Sequence, residues 1–103
     1  MDKKIVEIAK QYAEKVRDVL TVDMVVLYGS HVQGTAGRFS DIDIAVIVDT
    51  LQYDYLKVST ELFSLVRNID RRIEPVLLCK SRDKGGFIES VLKGGKIIYK
   101  SRK

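Results

Sequence analysis

The chain has 103 residues, with 18 Lys and Arg against 14 Asp and Glu, for a net charge of +4. That length suits one folded domain, residues 1–103, and 46% hydrophobic with 31% charged residues excludes intrinsic disorder. No apolar run approaches the roughly 20 residues of a membrane helix. A lone cysteine, Cys79, excludes an internal disulfide and points to a cytoplasmic setting.

The first element spans Asp2 to Leu20, where Ile5, Ile8, Ala9, Tyr12, Val16, Val19 and Leu20 fall close to helical spacing and Asp2 suits a cap. Met24-Val25-Val26-Leu27-Tyr28 then reads as a short buried strand that stops at Gly29-Ser30. Residues 29–40, with three of the seven glycines, read as a turn, at most two helical turns, and a loop. A second strand covers residues 41–48, opening on alternating Asp and Ile.

Leu51, Tyr55, Val58, Leu62, Leu65 and Ile69 recur at steps of three and four, which predicts a helix from about 51 to 68. Tyr55 then belongs to the core face and Tyr53 to the helix surface. Arg72 to Cys79 reads as a third strand, in which Pro75 requires an edge, a bulge or an unpaired position because it has no N–H to donate. Phe87, Ile88, Val91 and Leu92 predict a short helix stopped by Gly94-Gly95, and Lys96 to Tyr99 the last strand. The order defines an α/β (α+β) chain with helices packed on one small mixed sheet. Positive charge is spread out, with small concentrations at Arg71-Arg72 and in the tail Lys100–Lys103. No block of five or six like charges marks a nucleic-acid arm.

The informative pattern is Gly29-Ser30, ten residues, then Asp41-Ile42-Asp43. Side chains at i and i+2 of a strand share a face. Asp41 and Asp43 thus project together, roughly 6–7 Å apart at two strand rises, with Ile42 and Ile44 turned toward the core. Two carboxylates so close repel unless cations neutralise them, and hard oxygen ligands suit Mg²⁺, which takes one or two carboxylates plus substrate phosphates. Such a pair can serve a two-metal site for phosphoryl transfer. A glycine at a strand end admits close backbone approach to a ligand, and a helix beginning at Ser30 would offer N–H groups and a hydroxyl to phosphate. Gly-Ser alone is a common turn and Asp-x-Asp alone a common strand start. The two in fixed spacing, each bound to a strand, are far more specific.

The stretch LYGSHVQGTAGRFSDIDIAV, residues 27–46, resembles the signature of the DNA polymerase β-like nucleotidyltransferase superfamily. In particular it resembles the MNT group of minimal nucleotidyltransferases, whose pattern is Gly-Ser, ten residues, Asp-x-Asp. The resemblance implies a polymerase β-like palm fold. It also implies nucleotide contacts from Gly29, Ser30 and Ser40, metal binding by Asp41 and Asp43, and a third carboxylate on a neighbouring strand as metal ligand and general base. Glu74 is the only acid inside the third strand and takes that place, so Asp41, Asp43 and Glu74 are the expected catalytic set. Two Mg²⁺ ions and ATP follow as cofactor and substrate.

Members of the group are antitoxin partners of HEPN-domain ribonucleases and transfer AMP to a toxin tyrosine, so a HEPN toxin is the expected partner, with neither a membrane nor direct nucleic-acid binding involved. Two other readings stay open: transfer to a small molecule, and a weakly catalytic module that neutralises its partner by binding. Among the remaining residues, Cys79 reads as a buried bystander and His31 as a loop surface residue. Phe39 reads as packed beside the loop, with base stacking as the alternative.

Overall fold

The computed structural model describes residues 2–83 and 85–102; Lys103, the end of the basic tail, lies outside them. The elements run α1 (Lys3–Val19), β1 (Met24–Tyr28), α2 (Ser30–Gln33), β2 (Ile42–Val48), α3 (Tyr55–Val66), β3 (Ile73–Cys79), α4 (Phe87–Gly94) and β4 (Lys96–Lys100). A single 3₁₀ turn, Lys80–Arg82, separates β3 from α4. The four strands form one sheet in the order β3-β2-β1-β4. β1 pairs antiparallel with β2 and β4, whereas β2 and β3 are parallel. The mixed sheet flanked by helices is the architecture the element order predicts.

α1 starts because the Asp2 carboxylate accepts the Lys4 N–H at 2.8 Å, meeting one of the donors a helix start leaves open. Its stripe of Ile5, Ala9, Tyr12, Ala13 and Val16 is buried. The Tyr12 hydroxyl is buried too and donates to the Leu62 carbonyl at 2.7 Å, tying α1 to α3. These two helices cover one face of the sheet, where Val25, Leu27, Ile42, Ile44, Val46 and Val48 complete the larger core. The other face packs Met24, Val26, Ala45 and Ile47 against Ile88 and Val91 of α4. One short helix covers that second face, and Asp43, Tyr28 and Glu74 on the same face stay half-buried or exposed.

Three details differ from the sequence reading. α3 begins at Tyr55, not near 51, because the Asp54 carboxylate accepts the Leu56 N–H at 2.8 Å and sets the start. Leu51 still packs on the core, but from outside the helix, so its helical spacing misleads. Tyr53 consequently precedes the helix and is 70% exposed. Tyr55 sits in the first turn, largely outside the core, with its hydroxyl donating to the Leu77 carbonyl at 2.9 Å. Phe39, finally, does not pack beside its loop; it is 86% exposed, with the Arg38 guanidinium 5.9 Å from its ring centre.

Pro75 does fall in an edge strand, as a residue without an N–H requires. Cys79 is buried at the end of β3, its thiol 3.2 Å from the Ser81 hydroxyl. Lys96 and Lys100 mark the exposed ends of β4, the opposite edge, where charge discourages pairing with another chain.

Candidate active site

β2 begins one residue after Asp41, at Ile42, and Ile42 and Ile44 are fully buried in the larger core. Alternation therefore turns Asp43 to the opposite, thinly covered face. Register does the rest. Asp43 stands opposite Tyr28 in antiparallel β1 and opposite Glu74 in parallel β3. Residues directly across neighbouring strands share a face, so Glu74, Asp43 and Tyr28 form one row across three strands. Asp41 adjoins the row from the end of the loop.

Gly29 follows Tyr28 and closes against this row. Its φ of 82° and ψ of −151° suit glycine alone, and a β-carbon there would fall inside the Asp43 carboxylate. The glycine at the strand end is thus required by Asp43, a protein neighbour, and the Gly-Ser turn lies directly against that acid. α2 then begins at Ser30 and lasts four residues, with the N–H groups of Val32 and Gln33 returned to the Gly29 carbonyl. The N–H groups of Ser30 and His31 open the turn and have no acceptor within it.

Asp43 titrates above the ordinary carboxylate range. Burial is the main cause and the Asp41 charge adds to it, while His31 opposes both. His31, expected as a loop surface residue, lies in the short α2, half-buried, with its Nε2 3.4 Å from the Ser40 carbonyl oxygen. The Ser40 hydroxyl accepts the Gly37 N–H at 2.8 Å, which folds the loop back before β2 and leaves its own proton to donate elsewhere. Tyr28 is likewise held above the usual phenol range, first by burial, then by the charges of Asp43 and Glu74.

None of Asp41, Asp43 and Glu74 pairs with a cation of the chain among the described residues. Like charges gathered without a protein counter-ion are a donor set for a hard divalent cation. Among the described residues no three Asp, Glu, His or Cys side chains close on one point as a ready-made metal site. Glu74 is thus beside Asp43 in register without completing a cage. Mg²⁺ ordinarily takes one or two protein carboxylates and completes its shell with water and substrate phosphate, and the Asp41–Asp43 pair fits that demand.

Two neighbours of the site escape the sequence reading. Tyr28 is visible only as the last apolar residue of a strand, and its place in the acid row depends on register. Phe87, from α4, meets the Tyr28 ring edge-on at 6.3 Å between centroids and 87° between planes. Nothing in the local sequence brings residues 28 and 87 together.

A small mixed sheet that carries one acid on β2 and a second just before it, against a Gly-Ser turn, has the arrangement of a nucleotidyltransferase palm. Residues 3–103 match the family model described as polymerase beta, nucleotidyltransferase, and the chain belongs to that family. Solved structures agree. A toxin-antitoxin crystallised with AMP-PNP is 30% identical, with a TM-score of 0.67 over 90% of this chain and 74% of that one. A mutant of the toxin-antitoxin MntA-HpeT is 28% identical, with a TM-score of 0.65 over 90% and 74%. A complex of tri-AMPylated Shewanella oneidensis HEPN toxin with MNT antitoxin shares the fold at 24% identity, TM-score 0.62, over 93% and 73%. No functionally curated protein matches the chain. Among the described residues no helix is long and apolar enough to cross a membrane.

Proposed function

We propose that the chain is a one-domain, Mg²⁺-dependent protein adenylyltransferase of the cytoplasm, which moves AMP from ATP to a tyrosine hydroxyl of a HEPN-type toxin and so acts as its antitoxin. The observation that supports this best is the direct contact of Gly29 with Asp43, which joins a phosphate-binding turn to an acid pair at one mouth. Family membership supplies the reaction class. The AMP-PNP-bound toxin-antitoxin supplies the nucleotide and the kind of partner, and the same fold stands beside an AMPylated HEPN toxin in the Shewanella complex.

Each residue then has a task. Asp41 and Asp43 hold Mg²⁺, which when bound supplies positive charge to the polyphosphate being cleaved. Ser30 and the opening N–H groups of α2, with Ser40 beside them, hold the departing phosphates. Glu74, beside Asp43, accepts the proton of the tyrosine hydroxyl as its oxygen bonds to the α-phosphorus and pyrophosphate leaves. A domain of this size has little surface for shaping an acceptor site, so the acceptor protein brings its own.

The test is label transfer. The chain is incubated with α-labelled ATP, Mg²⁺ and a lysate of the source cell. A labelled protein band that disappears with Asp41→Asn supports the proposal. Label in a small molecule would favour the small-acceptor reading. Toxin inhibition that survives Asp41→Asn and Asp43→Asn together would make the chain a binding module.

A further inference from the structure

We propose that Phe87 and Tyr28 form the nucleoside subsite, with Phe87 taking the planar base by stacking; this rests on the nucleotidyltransferase reading and extends it to how the base is held. Phe87 is a large aromatic left 46% exposed, although its helix neighbours Ile88 and Val91 are buried. Its ring touches Tyr28, the residue that stands opposite Asp43 and directly precedes Gly29. The Gly-Ser turn, Asp43 and the aromatic pair therefore adjoin one another on one face, with Tyr28 beside both Gly29 and Asp43, so a nucleotide whose phosphates lie at the turn and the acids has the Phe87 ring within the same neighbourhood for its base.

The ring is also held in place. Asp83 fixes the first turn of α4, its two carboxylate oxygens accepting the N–H groups of Phe87 at 3.2 Å and Ile88 at 3.3 Å. The Tyr28 hydroxyl makes no hydrogen bond to a described residue and is free to meet the sugar. Phe39, the other exposed phenylalanine near the site in sequence, lacks such support: among the described residues its ring has no aromatic partner, and the Arg38 guanidinium stands 5.9 Å from its centre. A base has a π-face whatever its identity, so this subsite holds nucleotides without choosing strongly among bases.

The experiment compares two probes by calorimetric titration in Mg²⁺: AMP-PNP, which has a base, and inorganic tripolyphosphate, which has none. Phe87→Ala should weaken AMP-PNP roughly 5- to 150-fold, the range for loss of one base–aromatic stack, and leave tripolyphosphate unchanged. Phe87→Trp should retain AMP-PNP, and Phe39→Ala should change neither probe. Phe87→Leu keeps apolar bulk for packing but offers no ring face. It should behave as the Ala variant does, so a folding defect in one variant does not blunt the test. Equal loss of both probes, no loss of AMP-PNP, or loss through Phe39→Ala instead would overturn the subsite alone. A wild-type chain that binds neither probe would overturn the nucleotidyltransferase reading, and the subsite with it.

Discussion

Gly29→Ala places two separable costs on one residue. The backbone at φ 82° and ψ −151° is a region other residues occupy only under strain, at about 1–3 kcal/mol. The new methyl also meets the Asp43 carboxylate, with Cγ at 3.1 Å and Cβ at 3.3 Å as well, an overpacking worth about 1–3 kcal/mol more. The total, about 2–6 kcal/mol, is a large share of the roughly 5–15 kcal/mol that holds a domain folded.

Urea denaturation would measure it, in wild type and again in an Asp43→Ala background. The strain persists in the second case, but the carboxylate is gone. The substitution should therefore cost about 1–3 kcal/mol less there, a coupling that double-mutant cycles resolve. An identical cost in both backgrounds would show that Asp43 does not lie against Gly29, and the site geometry would be refuted.

Asp43→Asn removes a partly buried carboxylate that burial and Asp41 already disfavour; thermal unfolding in EDTA should show a midpoint equal to or above wild type, while label transfer is lost. A lower midpoint would contradict the repulsion between the acids. Glu74→Gln should lower kcat about 10²- to 10⁴-fold, the usual share of a general base, with AMP-PNP affinity unchanged by calorimetry. Tyr12→Phe should cost about 1 kcal/mol in urea titration, the net value of a typical hydrogen bond, here the one to the Leu62 carbonyl. Burial raises the Tyr12 phenol well above its ordinary value. Its contribution is therefore complete below pH about 10, the unfolded pKa, and is lost as pH rises toward the folded one. Stability measured above pH 10 should fall less steeply in the Phe variant.

Local patterns made much of this legible in the sequence. β1 is bounded by a β-branched apolar run and a Gly-Ser stop, and the structure places it at the same five residues. Asp54 shows where such patterns mislead. Leu51 continues the helical spacing of Tyr55 and Val58, yet the Asp54 cap starts the helix later and leaves Leu51 to reach the core from the loop before it. The gathering of the acids was half visible: strand alternation turns Asp43 away from Ile42 and Ile44, but Asp41 lies just before β2 and not in the strand expected from residue 41, and the row through Glu74 and Tyr28 needs the register of β2 against two strands. Gly29 was legible as a close approach, though its neighbour proves to be Asp43. Gly95 is similar. It does not close α4 in a left-handed cap but has φ −92°, and a side chain there would collide with Val26 and the Val91 carbonyl. Contacts between a helix and a strand distant in sequence, such as Phe87 on Tyr28, have no local signature at all.

In the proposed function, Asp41 and Asp43 bind a divalent cation and a triphosphate together at the Gly29-Ser30 turn. Calorimetric titration of AMP-PNP into the chain, with Mg²⁺ and then with EDTA, puts this to the test. Binding should need Mg²⁺ and should vanish in the Asp41→Asn, Asp43→Asn double variant while the fold persists by circular dichroism. Equal binding in EDTA, or binding unaltered in the double variant, would contradict it.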